Sequence, residues 1–88
     1  MSKEYIVIEC SAWMNDSGYG INYGTDSERF SSYRNAERHG WQLVGSDDFQ
    51  IGMAEGNKLI DTMKSETESI GEDTEALNEI AEQLGLTT

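Results

Sequence analysis

The sequence predicts an α+β domain: an antiparallel four-stranded sheet with one helix packed on it and a second, acidic helix at the C-terminus. Three observations lead there. Two pairs of short segments alternate apolar and polar residues on either side of turn chemistry. A segment with apolar residues at three- and four-residue spacing separates those pairs, and another such segment closes the chain. The order is therefore β-β-α-β-β-α.

From Glu4 to Met14, Ile6, Ile8, Cys10, Ala12 and Met14 share one face, and Tyr5, Val7, Glu9, Ser11 and Trp13 the other. Side chains alternate across a strand, so this reads as a strand with one wholly apolar face. Asn15-Asp16-Ser17-Gly18 supplies a turn, and Tyr19, Ile21 and Tyr23 alternate with glycines and Asn22 in a returning strand. Between Ser31 and Val44, the positions Tyr33, Ala36, Gly40, Leu43 and Val44 form a stripe, with Ser31 or Ser32 as N-cap. Gly40 is a candidate terminator, but the periodicity continues past it, which favours Gly45 as the stop. Phe49, Ile51 and Met53 then alternate with Gln50, Gly52 and Ala54. A turn at Glu55-Gly56-Asn57-Lys58 leads to a fourth strand from Leu59 to Met63.

Lys64 is the last basic residue, and seven acidic side chains follow it without compensation. Residues 65–71 read as a flexible connector. Asp73 or Thr74 can cap a final helix whose stripe is Leu77, Ile80, Ala81 and Leu84, with Gly85 ending it. Glu72, Glu75, Glu79 and Glu82 fall along one face of that helix. Such spacings set Cβ atoms about 5–6 Å apart, a scale suited to imitating successive phosphates. A plain solvated face is the competing reading. Lysines at i+4 would relieve the repulsion of such a face, and here there are none.

With 88 residues the chain makes one domain, 1–88, able to bury one modest core. Apolar residues make up 36%, low for a globular chain but clustered. Seventeen acidic residues against six basic ones give a net charge of −11. Such a surface disfavours direct contact with DNA, RNA or anionic membrane, where Lys and Arg dominate binding, and suits a cationic partner. One cysteine, no apolar run of membrane length and no leader-like N-terminus fit a reducing cytoplasm.

No residue pattern carries catalysis or a cofactor. Gly18-Tyr19-Gly20-Ile21-Asn22-Tyr23-Gly24 has the wrong glycine spacing and context for a phosphate loop. One histidine, His39, and one cysteine, Cys10, make no zinc set and read as structural. Asp47-Asp48 lacks the surrounding ligands of a calcium loop; loop or capping duty comes first and partner contact second. Tyr5, Trp13, Tyr19 and Tyr23 could gather on the sheet face opposite the helix as an interaction patch, unless the final helix covers them.

Ser46-Asp47-Asp48-Phe49-Gln50-Ile51-Gly52, then Gly56-Asn57-Lys58-Leu59, then Ile80-Ala81-Glu82-Gln83-Leu84-Gly85-Leu86 resemble stretches of short, mostly uncharacterised bacterial and prophage proteins. The likeness covers the second half of the chain and implies no active site. In size and acidity the chain also resembles phage-encoded inhibitors, among them anti-CRISPR proteins and DNA mimics.

The expected function is accordingly that of a non-enzymatic phage or mobile-element inhibitor without metal or cofactor. It would bind the basic groove of a nucleic-acid-binding bacterial complex, a CRISPR–Cas effector being favoured, as a nucleic-acid mimic. The partner-binding residues would be Glu66, Glu68, Glu72, Asp73, Glu75, Glu79 and Glu82, with Asp47 and Asp48 in reserve. The alternative is a small host adaptor or subunit that binds protein through the aromatic sheet face. A homodimer through the sheet face or an open strand edge is compatible with either.

Overall fold

Alternation along the first strand places one helix on each side of the sheet. The computed structural model describes residues 3–26, 28–65, 68–69 and 74–88. Its elements are β1 (Glu4–Asn15), β2 (Gly18–Gly24), α1 (Tyr33–Val44), β3 (Phe49–Glu55), β4 (Lys58–Ser65), β5 (Glu68–Ser69) and α2 (Thr74–Leu84). From β1, Ile6 and Ile8 join Leu59 and the α2 residues Leu77, Ile80 and Ala81 in one core. Val7 points the other way, into a second core with Tyr33, Ala36 and Ile51 under α1. The α+β class is as expected. The expectation of a single packed helix is corrected, because both faces of β1 are apolar where it crosses the middle of the sheet.

The strands run β2-β1-β3-β4-β5, each antiparallel to its neighbours. The four expected strands are present, and the short β5 adds to them. It lies within the segment read as a flexible connector: β4 runs on to Ser65, and Met63 and Ser65 pair with Ser69 and Glu68. An unpaired strand edge is a template for further pairing, and here the chain's own continuation supplies it. The rest of that segment lies outside the described residues.

Strand length explains what the helices leave bare. Twelve strand residues at about 3.3 Å each reach roughly 40 Å, whereas the helices span under about 20 Å at 1.5 Å per residue. β3 ends its pairing with β1 at Glu9. Beyond Cys10, β1 and β2 therefore project as a two-stranded arm, and the longest molecular dimension is 44 Å. The single apolar face expected along β1 is covered only in its first half; Ala12 and Met14 are exposed.

Two glycines mark close approaches. A Cβ on Gly40 would fall 2.5 Å from the Phe49 ring, so this helix-interior glycine lets α1 settle on β3. The helix ends instead at Gly45, in the left-handed conformation at φ 78°, and begins at the Ser32 cap, whose hydroxyl accepts the Asn35 N–H. On the other face, a Cβ at Gly52 would meet Ile8 at 2.7 Å and Ile6 at 3.0 Å, the side chains on which α2 rests.

The end of α2 is closely tied. Leu86 N–H donates to Ala81 C=O and Gly85 N–H to Glu82 C=O, with Gly85 at φ 75°, the two bonds of a Schellman ending. Thr87 then exchanges backbone hydrogen bonds with the β3–β4 hairpin, accepting from Leu59 N–H at 2.7 Å and donating to Asn57 C=O at 2.9 Å. The stretches around Gly56–Leu59 and Ile80–Leu86 are thus neighbours in space.

Candidate functional site

The amphipathic pattern of α2 dictates which way its charges point. Leu77, Ile80 and Ala81 are buried against the sheet, which turns Glu75, Glu79 and Glu82 to solvent. Seven positions separate the first from the last, about 10 Å along the axis. The helix carries no basic residue. Among the described residues the ion pairs recorded are Arg29–Glu4 at 3.5 Å and His39–Asp26 at 2.6 Å, neither of them on α2. Arg34 and Arg38 are exposed on α1, across the sheet. The acidic row on α2 is therefore unrelieved within its own helix, whereas α1 mixes Arg34 and Arg38 with Glu37.

One edge of the acidic helix is fastened to β2. Gln83 Oε1 accepts the backbone N–H of Tyr23 at 2.9 Å, and Tyr23 packs against the α2 core. Burial, with smaller contributions from Cys10 and Glu79, raises the Tyr23 hydroxyl above its ordinary value of 10.0 and keeps the ring neutral. Cys10 pairs with Tyr23 on one side and donates its N–H to Asp48 C=O at 3.0 Å on the other. Two strand spacings, about 10 Å, thus separate Asp48 from Tyr23.

Asp47 and Asp48 are exposed in the turn between α1 and β3. Asp48 closes that turn: its carboxylate accepts the Ser46 hydroxyl at 3.1 Å, and its N–H donates to Ser46 Oγ at 3.4 Å. A depression of about 340 Å³ opens here, lined by Cys10, Asp47, Asp48, Phe49 and Gln50. Its rim carries the exposed carboxylates of Asp47 and Asp48, while Gln50 Oε1 is buried without a hydrogen-bond partner among the described residues. A cationic or amide donor suits this chemistry. Asp47 also borders a smaller cavity of about 80 Å³ beneath Glu37 and Trp41.

Of the acidic residues singled out by sequence, Glu75, Glu79 and Glu82 share one exposed helix face, with Asp47 and Asp48 across β1 from Tyr23. Glu68 lies in β5. Glu66, Glu72 and Asp73 lie outside the described residues.

The aromatic residues do not gather on one face, and that expectation is corrected. Tyr5 packs beside the α1 core, edge-on to Tyr33, and Tyr23 beside the α2 core. Strand alternation sends Trp13 with Tyr5 and Tyr19 with Tyr23. What remains exposed is the arm: Met14 and Tyr19 at 85% each, Ile21 at 46% and Trp13 at 41%. Sequence reading missed this projection, although the length of the alternating run from Glu4 was its signal.

His39 and Cys10 have structural partners. His39 Nε2 meets Asp26 Oδ2 at 2.6 Å while its ring lies 5.0 Å from that of Phe30. Burial alone would raise the Asp26 carboxyl. The hydrogen bond from His39, that from the Glu28 N–H and the charge of His39 outweigh it and hold the group below its ordinary 3.8. The Cys10 thiol lies 3.7 Å from Ile8 C=O.

These features define an antiparallel α+β domain with a helix on each sheet face and its exposed acidic helix on one of them. Comparison of the chain with protein-family models, curated proteins and solved structures returns no match. No helix among the described residues is long and apolar enough to cross a membrane.

Proposed function

We propose that this protein is a binding module whose acidic α2 face occupies a basic, nucleic-acid-binding groove of a protein complex, in place of the phosphate backbone. The observation that carries the reading is the unrelieved acidity of the exposed α2 face. Glu75, Glu79 and Glu82 stand exposed in one row, and none of the ion pairs recorded among the described residues involves them. A helix that only needed solubility would gain from lysines at i+4, and this one forgoes them. The Schellman ending, the Gln83 bond and the Thr87 pairing hold the helix in place, so the charges are presented in a fixed spacing and little ordering entropy is lost on binding.

The exposed carboxylates of Asp47 and Asp48, at the rim of a shallow depression, suit a lysine or arginine side chain as well. The partner is thus a cationic protein surface. The resemblance in size and acidity to phage-encoded inhibitors makes a CRISPR–Cas effector the favoured target, and inhibition by occupancy the favoured consequence.

The test is competition. Complexes captured on the immobilised protein should release on adding DNA or RNA, and should weaken steeply as salt rises. Partners that resist both treatments contradict the reading.

A further inference from the structure

The arm formed by β1 beyond Cys10 and by β2 up to Asn22 takes no part in the α2 reading, and its chemistry is the opposite. In a chain of net charge −11 it carries one charged residue, Asp16 at its turn. It also exposes Trp13, Met14, Tyr19 and Ile21, the other large exposed apolar side chains among the described residues being Trp41 and Leu43 on α1. β2 is the end strand of the sheet. The direction of its free hydrogen-bonding groups follows from one contact. Tyr23 N–H points away from β1, because Gln83 accepts it. Residues two apart on an antiparallel strand direct their backbone groups to the same side, so the N–H and C=O of Tyr19 and Ile21 also face outward. The same alternation turns Cys10, Ala12 and Met14 away from β2, as the bond from Cys10 N–H to Asp48 requires.

We propose that this edge is a homodimer seam, in which β2 of a second copy pairs antiparallel with it about a two-fold axis at Gly20. Tyr19 of each copy then lies opposite Ile21 of the other. That register uses the outward groups of both residues on both copies. It also stops short of Tyr23, whose N–H is already bonded. The two Gly20 residues meet at the axis in a non-hydrogen-bonded position, where Cα atoms come within about 4.5 Å and the absence of side chains permits it. A Cβ at Gly20 is excluded in any case by Trp13, 2.8 Å away.

The occupant is a second copy because the surface is self-complementary. Tyr19 against Ile21 is a favourable aromatic–β-branched pair. A two-fold axis normal to the sheet also aligns Met14 and Tyr19 of one copy with Ile21 and Ala12 of the other in one apolar row. At about 200 Å² per large side chain, Met14, Tyr19 and Ile21 expose roughly 430 Å² per copy on the face of that row, the most the seam can cover there, and pairing of the two β2 backbones adds to it. Net charge opposes association, so screening strengthens the dimer, the reverse of the behaviour expected for α2 with a cationic partner. The two proposals therefore fail separately.

Analytical ultracentrifugation of the purified chain tests the seam. Raising salt from about 0.01 M to about 0.15 M shortens the Debye length from about 30 Å to about 8 Å and should shift the chain from monomer towards dimer. Ile21→Pro removes an outward N–H that makes no hydrogen bond among the described residues, and Tyr19→Lys places a charge on each side of the seam. Each should weaken dimerisation at least about tenfold. Tyr19→Lys changes a side chain that is 85% exposed, so it keeps the test valid should the proline variant misfold. A chain that stays monomeric across the salt range overturns the proposal and leaves the arm to a different protein. A dimer indifferent to both substitutions overturns it as well.

Discussion

Gln83 and Tyr23, sixty residues apart in sequence, are joined by a 2.9 Å hydrogen bond from the strand's backbone to the helix's side chain. This contact fastens the acidic helix to the outermost strand and removes one donor from an otherwise open edge. Gln83→Ala should cost about 0.5–1.5 kcal/mol in urea-induced unfolding, the usual worth of one such bond.

Gly40 sits inside α1 where alanine would ordinarily help. Gly40→Ala gains about 1 kcal/mol of helix propensity but drives a Cβ to 2.5 Å from the Phe49 ring, which Trp41 braces edge-on at 5.6 Å. Overpacking of this kind costs about 1–3 kcal/mol, so the net effect should be a loss of stability. Tryptophan emission should shift as Trp41 is displaced, and a variant more stable than the parent would contradict the packing described.

The Asp26–His39 pair ties the β2–α1 connection to the helix. The folded-state pKa of Asp26 is depressed, so its contribution to stability is present above the unfolded value near 3.8 and is lost as pH falls through the folded value. Asp26→Asn should therefore be less stable than the parent near neutrality, and the difference should disappear in acid. Denaturation followed between pH 7 and about pH 2 checks this. A gap that persists at the acid end would assign the loss to packing instead.

Much of the fold was legible because its elements announce themselves locally. The Asn15–Gly18 and Gly56-Asn57 turns, the Ser32 cap and the Gly45 and Gly85 stops all have chemistry that acts within a few residues. The second core was not legible. Tyr5 and Val7 lie on the β1 face opposite Ile6 and Ile8, yet they too pack beneath a helix, α1, since alternation gives two faces without saying how many helices cover them. β5 was missed because a two-residue strand carries no periodicity. The arm was missed for a related reason: its exposure follows from comparing strand length with helix length, not from composition. For the acidic site, the spacing of Glu75, Glu79 and Glu82 could be read directly. The placement of α1's arginines across the sheet, which leaves that row unbalanced, required the tertiary structure.

The most direct measurement is the affinity of the captured nucleic-acid-binding partner for the parent chain and for the Glu75→Lys/Glu79→Lys/Glu82→Lys variant, each across a salt series. These side chains are exposed, so circular dichroism and thermal unfolding should show the fold retained. The account predicts binding weakened at least about tenfold, with a flatter dependence on salt. Equal affinity and an equal salt slope in the two proteins would contradict it and reduce the acidic face of α2 to a device for solubility.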